Sequence, residues 1–191
     1  MFAAVLDTCV LWPSMQRDFL LSLSIEGLYR PLWSEAILEE LEYHEQRKLL
    51  RSVSAGEATS RATTLVRTMR TAFADALVTG WEGLEGTYGL PDPDDEHVVA
   101  AAVVGGAGAI VTENRKDFPA ERIPRGIDVL SADAFIRNTV ALGPTAAFRA
   151  VQEIATRSGR RGPTLTPAQV LEILQSRYKL ADAIAPLWLF V

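Results

Sequence analysis

The sequence has few of the residues that form disulfides or hold soft metals, and it has no long hydrophobic run. One cysteine in 191 residues excludes a disulfide scaffold and a cysteine-based zinc site, and two histidines argue against a histidine-rich metal site. No apolar run reaches the roughly 18 residues of a membrane-spanning helix. Because no basic segment precedes the first apolar run, we expect no signal peptide. These absences predict a soluble, cytoplasmic protein that makes no membrane contact.

Positive charge is also scarce. There are 19 basic and 24 acidic residues, which gives a formal net charge of −5. Taken alone, this balance argues against a nucleic-acid partner. The remaining composition, with 48% hydrophobic and 23% charged residues, is that of a globular protein long enough to bury a core.

Short apolar runs alternate with helical patterns through the first two thirds of the chain. The apolar runs predict strands at 2–6, 27–33, 109–112 and 127–130. The apolar spacing predicts helices at 17–25, 34–50, 56–79 and 92–104, and the segment 80–90 is expected to be loop and strand. This alternation predicts a three-layer α/β/α fold with a central, mostly parallel sheet.

The pattern changes after residue 130. Helices are predicted at 132–142, 145–156 and 167–178, with a linker-like break at 157–163 and an apolar tail at 186–191. We therefore divide the chain into a domain at 1–135 and a C-terminal helical extension at 136–191. The tail is expected to pack within its own domain, and a groove on a partner is the alternative.

Three acidic side chains stand at positions where a parallel sheet presents a binding site. Asp7 follows the first strand, and parallel sheets bind ligands beyond the carboxyl ends of their strands. Glu40 borders the buried face of its helix, whereas Glu39 faces water. Asp95 begins the apolar stripe of its helix, which is an unfavourable place for a carboxylate without a partner. Each acid also has a structural explanation, as a turn residue, a solvated charge or a helix-terminal acid.

Further polar groups follow the strand at 109–112. Thr112, Asn114 and Asp117 leave the carboxyl end of this strand, where all three can reach the same site. Turn chemistry is the structural alternative for Asn114 and Asp117. Phe118 is expected to anchor this loop in the core, and we interpret His97 as a residue of the helix surface.

Carboxylates that converge without histidine or cysteine repel one another unless a cation is bound. Hard oxygen ligands favour Mg²⁺ or Mn²⁺ over Zn²⁺. Such ions activate water and neutralise the charge that develops on a phosphate. The pattern therefore points to metal-assisted hydrolysis of a phosphodiester.

Four stretches resemble the PIN-domain family and, within it, the VapC-type toxins of bacterial toxin–antitoxin pairs. They are residues 5–11 (VLDTCVL), 39–41 (EEL), 92–102 (DPDDEHVVAAA) and 110–118 (IVTENRKDF). The resemblance covers 1–135 and implies an endoribonuclease that depends on Mg²⁺ or Mn²⁺. The metal-binding and catalytic acids that it implies are Asp7, Glu40, Asp95 and Asp117.

The resemblance also assigns supporting residues and shows two departures. Thr112 matches the usual serine or threonine on the strand before the last acid. Thr8 stands where family members often have asparagine or serine. Asn114 stands where many VapC sequences have an acid, and Asp117 takes that role. The sequence leaves open whether Asn114 or Asp117 lies closer to the metal, and whether one metal or two are bound.

The family implies partners as well as an activity. It pairs the toxin with a VapB-type antitoxin, whose C-terminal tail blocks the acidic site with a basic residue, and it commonly forms homodimers. Residues 136–191 resemble the extension of a longer VapC subgroup. An RNA substrate needs positive charge, and Arg115 and Lys116 are the preferred candidates because they adjoin Asp117. Arg47, Lys48 and Arg51 near the end of the helix at 34–50 are further candidates, for which a solvated surface charge is the favoured interpretation.

Rival functions fit the sequence less well. A phosphate-receiver domain needs paired acids after the first strand, where Asp7 stands alone. A haloacid-dehalogenase-type phosphatase needs an aspartate two residues after Asp7, and Cys9 is there instead. The remaining alternative is a catalytically weak PIN-like domain that acts as a protein-binding module.

Overall fold

The computed structural model describes residues 2–160 and 162–191. Met1 and Arg161, the latter in the linker predicted at 157–163, lie outside the described residues. The strands are β1 (Ala3–Leu6), β2 (Arg30–Ser34), β3 (Leu77–Val78), β4 (Ala109–Val111) and β5 (Asp128–Leu130). The α-helices are α1 (Thr8–Leu11), α2 (Ser14–Ile25), α3 (Glu35–Leu49), α4 (Ala55–Ala72), α5 (Glu96–Gly105), α6 (Ala132–Leu142), α7 (Pro144–Arg157), α8 (Pro167–Tyr178) and α9 (Ala181–Ile184).

The chain divides into two compact units. The first comprises 3–12 and 31–129 and contains the sheet, apart from one terminal residue each of β2 and β5, together with α1, α3, α4 and α5. The second contains α2 and α6 to α9, from 13–30 and 130–191. The sequence did not indicate that α2 joins the C-terminal helices, and the division at residue 135 stays a prediction.

The sheet of the first unit is parallel, with the strand order β3-β2-β1-β4-β5. β1 pairs with β4 in the register Ala4↔Ala109 to Leu6↔Val111, and every residue of both strands is buried. Apolar residues on both faces of a strand are typical of a sheet covered by helices. The predicted fold class is confirmed, and the carboxyl ends of β1 and β4 lie side by side.

Two predicted elements of this unit are wrong. The helix predicted at 56–79 ends at Ala72. Residues 77–78 form β3 instead, because they pair with β2 in the register Trp33↔Leu77. The strand expected within 80–90 does not form, and this segment contains a 3₁₀ turn at Glu82–Leu84. The backbone amides of residues 88–90 donate to the carboxylate of Glu96 instead of to a neighbouring strand.

The second unit is helical, as predicted for 132–178. α7 packs against α2 and α8, and α6 packs against α9. A capping box at Thr166 begins α8, in agreement with the sequence. The apolar tail is only partly covered, because Leu187 is buried while Leu189 is 88% exposed. Within the part of the chain that the structure describes, no helix combines the length and apolarity needed to cross a membrane.

Candidate active site

Asp7 lies at the junction of β1 and α1. Its amide donates to the carbonyl of Val111 at 3.1 Å, which extends the pairing of β1 with β4 by one residue. Although Asp7 is the N-cap residue of α1, its side chain makes no capping hydrogen bond. Its Oδ2 instead accepts from Thr112 Oγ1 at 2.6 Å and from Cys9 Sγ at 3.0 Å. The carboxylate is therefore oriented by Thr112, directly after β4, and by Cys9 on α1, and helix capping does not explain its position.

Thr112, which is buried, and Cys9, which is half-buried, both hold the carboxylate of Asp7 by hydrogen bonds. The Thr112 hydroxyl accepts from the amide of Asn114 at 3.0 Å, and the Cys9 sulfur accepts from the amide of Glu113 at 3.2 Å. Burial, followed by the charge of Asp7, raises the pKa of the Cys9 thiol to about 12. The thiol thus stays neutral and donates to the carboxylate, and it is not a nucleophile.

Asp95 is held by the short turn that precedes α5. Its Oδ2 accepts from Asn114 Nδ2 at 3.2 Å. Burial, followed by the like charges of Asp7, Asp92 and Asp117, raises the pKa of Asp95 to about 6. Burial and the neighbouring acids both disfavour the ionised form of this carboxylate, and a bound cation would offset both.

Glu40 on α3 belongs to a second hydrogen-bonded group. Its Oε2 accepts from Thr8 Oγ1 at 2.7 Å, and its Oε1 lies 3.1 Å from His97 Nε2. Burial alone raises the pKa of Glu40, but the hydrogen bonds from His97 and Thr8 outweigh it and the pKa is lowered. As the sequence predicted, Glu39 is exposed and Glu40 is only partly so.

The structure overturns the placement of His97 on the helix surface. The residue is only 5% exposed, because α5 is buried from Glu96 to Ala102. Burial alone lowers the pKa of His97, yet the contact with Glu40 raises it overall. Its Nδ1 is buried and has no hydrogen-bond partner among the described residues. The ring is thus placed to donate from Nε2 to Glu40.

A cavity of about 410 Å³ unites most of these groups. Its lining residues are Asp7, Thr8, Cys9, Trp12, Glu40, His44, Asp95 and Asn114. Asp117 is not among them in the described chain, although its charge acts on Asp95. The structure therefore brings Asp7, Glu40 and Asp95 to one cavity and leaves Asp117 outside its lining.

The donor chemistry of this cavity suits a hard divalent cation. Over residues 2–160 and 162–191, no three side chains of histidine, cysteine, aspartate or glutamate are grouped closely enough to hold a metal by themselves. The carboxylates of Asp7 and Asp95 and the amide of Asn114 nevertheless offer oxygen atoms, and the acidic neighbours of Asp95 contribute, after burial, to its raised pKa. These residues fit Mg²⁺ or Mn²⁺, both of which complete their coordination with water or substrate.

Arg115, Lys116 and Asp117 form a 3₁₀ turn beyond β4. Arg115 and Lys116 are exposed, and Lys116 Nζ lies 3.8 Å from Asp117 Oδ2. Arg115 also lines a separate cavity of about 330 Å³ together with Phe118. Phe118 is buried, as predicted. Asn114 contacts Asp95 directly and lines the cavity, whereas Asp117 does not line it.

Four residues near the site, Cys9, Trp12, His44 and His97, were not predicted from the sequence. His44 lies one helical turn after Glu40, and this spacing was sufficient to place both on one face of α3. His97 directly precedes the apolar residues 98–104 of α5, and a polar residue at the edge of such a stretch can be buried with a partner. Trp12 has no local signal, because its position in the cavity wall depends on how α1 turns away from β1.

Family comparisons agree with this geometry. The chain matches the PIN domain over residues 3–116 and the VapC50 C-terminal domain over residues 132–183. No curated protein and no solved structure matches it significantly. The PIN-domain match covers more than half of the 191 residues, and the second match covers most of the predicted extension. The chain therefore belongs to the PIN-domain family and is a VapC-type toxin with a C-terminal extension, that is, a nuclease toxin of a toxin–antitoxin system.

Proposed function

We propose that this protein is an endoribonuclease that depends on Mg²⁺ or Mn²⁺ and is the toxin of a VapBC-type pair. The observation that carries the proposal is the approach of Asp7 and Asp95 in one cavity, where their mutual repulsion contributes to the raised pKa of Asp95. A bound cation or an added proton offsets the repulsion between two carboxylates that line the same cavity.

The proposed roles follow from the contacts of each side chain. Asp7 and Asp95 hold the metal ion, Glu40 and Asp117 add negative charge, and Asn114 positions Asp95. A bound divalent ion supplies an activated water and neutralises charge on the phosphate. Thr112 fixes the orientation of Asp7 through a 2.6 Å hydrogen bond.

Glu40 has a different role from the two aspartates. Thr8 and His97 hold its carboxylate in one orientation and keep it ionised at neutral pH. In the cavity, an ionised and oriented carboxylate can accept a hydrogen bond from a water molecule. We assign to Glu40 the orientation of water beside the two aspartates.

The partners are RNA and a VapB-type antitoxin. Arg115 and Lys116 are exposed on the turn that follows Asn114, and we assign them to binding the phosphates of RNA. The acidic cavity suits a basic residue from the tail of the antitoxin. We place the protein in the cytoplasm, where RNA is available, and we propose a homodimer, which size-exclusion chromatography with light scattering measures.

The experiment compares wild type with Asp7→Asn and with Asp94→Asn as a matched control. Asp94 lies in the same acidic segment as Asp95 but is exposed and outside the cavity lining. Cleavage of a defined RNA is measured with Mg²⁺, with Mn²⁺ and with EDTA, and Mn²⁺ binding is measured by calorimetry.

We expect metal-dependent cleavage by wild type and by Asp94→Asn. Asp7→Asn should lose about a hundredfold or more in rate, and it should bind Mn²⁺ more weakly. Wild-type protein that cuts no RNA with either metal overturns the enzymatic proposal. If that protein still binds its antitoxin, the result favours the protein-binding module.

A further inference from the structure

One large aromatic side chain in the wall of the active-site cavity takes no part in holding the carboxylates. Trp12 directly follows α1 and lines the cavity that also contains Asp7 and Asp95. It is 41% exposed, whereas Trp33 and Trp81 are buried in the core. Because the removal of an indole from water is favourable, a tryptophan left open in a cavity wall indicates a surface that a ligand covers.

Residues of α3 form two cation–aromatic pairs, and one of these pairs includes Trp12. The Lys48 ammonium lies over the Trp12 ring, 5.7 Å from its centroid, and is also ion-paired with Glu45. His44, one helical turn before Lys48, lines the same cavity. Arg47 lies over the exposed ring of Tyr43, 5.5 Å from its centroid. Aromatic faces beside cations bind single-stranded nucleic acid, because bases stack on the rings while phosphates are attracted to the cations.

We propose that Trp12 is the stacking surface for an unpaired nucleobase next to the phosphodiester that is cleaved. The site then accepts single-stranded RNA and excludes the interior of a duplex, where each base is already stacked on its neighbours. This inference rests on the proposed ribonuclease activity and adds a residue that positions the substrate.

The test measures kcat and KM on a single-stranded RNA whose cleavage site has been mapped with wild type. The variants are Trp12→Ala, Trp12→Phe, which retains an aromatic face, and Trp188→Ala as a control in the helical unit. A second substrate carries one abasic nucleotide beside the mapped site. A third carries 2-aminopurine there, and its fluorescence reports stacking in EDTA without turnover.

Trp12→Ala should raise KM by about 5- to 150-fold, which is the effect of losing one base–aromatic stack, with little change in kcat. Trp12→Phe should restore most of this loss, and Trp188→Ala should behave as wild type. The abasic substrate should raise KM for wild type but not further for Trp12→Ala. The 2-aminopurine fluorescence should fall with wild type and stay high with Trp12→Ala.

The outcomes separate this inference from the proposed function. Wild type that cleaves RNA, together with a Trp12→Ala variant of unchanged KM and fluorescence, overturns the stacking role alone. Wild type that neither binds nor cleaves RNA overturns both. A Trp12→Ala variant that loses affinity for the antitoxin but not for RNA assigns the ring to the peptide and also overturns the stacking role. Circular dichroism shows whether each variant is folded, and the abasic and 2-aminopurine substrates test wild type without any mutation.

Discussion

Asp95 and Glu96 are adjacent in the chain, and their carboxylates meet opposite surroundings. Glu96 is only 3% exposed, and it accepts hydrogen bonds from the amides of Tyr88, Gly89 and Leu90 at 2.7–3.1 Å. Burial alone raises the pKa of Glu96, but these amides outweigh it and the pKa is lowered. Asp95 is less buried, yet its pKa is raised to about 6.

The difference shows that the depth of burial does not decide in which direction the pKa of each carboxylate is shifted. Backbone amides balance the charge of Glu96, so this residue fixes the loop at 88–90 and has little left to offer a ligand. Asp95 receives one side-chain donor, from Asn114, and faces the charges of Asp7 and its other acidic neighbours. An acid whose charge the protein does not balance is a candidate for binding a cation.

The largest expected effect is a difference in the rate of RNA cleavage between the two isosteric variants Asp95→Asn and Glu96→Gln. Asp95→Asn should lower the rate of RNA cleavage by about a hundredfold or more, because a metal-binding carboxylate becomes a neutral amide. Glu96→Gln should keep its rate within a few fold when assayed well below its melting temperature. A Glu96→Gln variant that is folded but as inactive as Asp95→Asn contradicts this assignment.

The next residue, His97, extends the comparison. His97→Ala should lower the affinity for Mn²⁺ and kcat/KM by about tenfold to a hundredfold, because Glu40 loses the partner that orients it. His97→Gln should recover part of both losses, since its amide can also donate to Glu40. Calorimetry and steady-state kinetics measure the two quantities. Equal losses in the alanine and glutamine variants indicate that the ring fills space and does not orient Glu40.

For the free energy of unfolding, we expect the larger loss at Glu96 and not at Asp95. Glu96→Gln should lower the free energy of unfolding by about 1–3 kcal/mol, because a neutral amide accepts backbone hydrogen bonds less strongly and leaves a buried amide donor to satisfy. Urea denaturation in EDTA measures this loss. Glu39→Gln, on the exposed face of α3, is the control and should be unchanged. A Glu96→Gln variant as stable as wild type shows that the loop at 88–90 does not depend on this charge.

Some of these relations could be predicted from the sequence because they follow local rules. The pattern at Asp92 and Pro93 indicates an N-cap, and the Asp92 side chain does accept from the amide of Asp94. The apolar runs at 2–6 and 109–112 predicted buried parallel strands, and the geometry of such strands was enough to place Asp7 near Thr112.

Other relations depend on contacts between segments far apart in the chain. Periodicity does not reveal that His97 meets Glu40, since 57 residues separate them. It also does not reveal that Glu96 collects the amides of a preceding loop, because an acid in the first turn of a helix is equally explained by the helix dipole. The sequence therefore indicated that Asp7, Glu40 and Asp95 lie near one another, but not that backbone amides balance the charge of Glu96.

The smallest expected effect is an opposite dependence of stability on pH, measured as melting temperatures in EDTA between pH 4 and pH 7. The pKa of Asp95 is raised from 3.8 to about 6, so its contribution to stability is full below the lower value and is lost as pH rises through the higher one. Asp95→Asn should therefore gain stability over wild type by a few degrees as pH rises from 4 to 7. The pKa of Glu96 is lowered, so its contribution is present above the ordinary value of 4.5 and is lost as pH falls. The deficit of Glu96→Gln should shrink towards pH 4, and parallel curves for the two variants would show that the fold treats these neighbouring carboxylates alike.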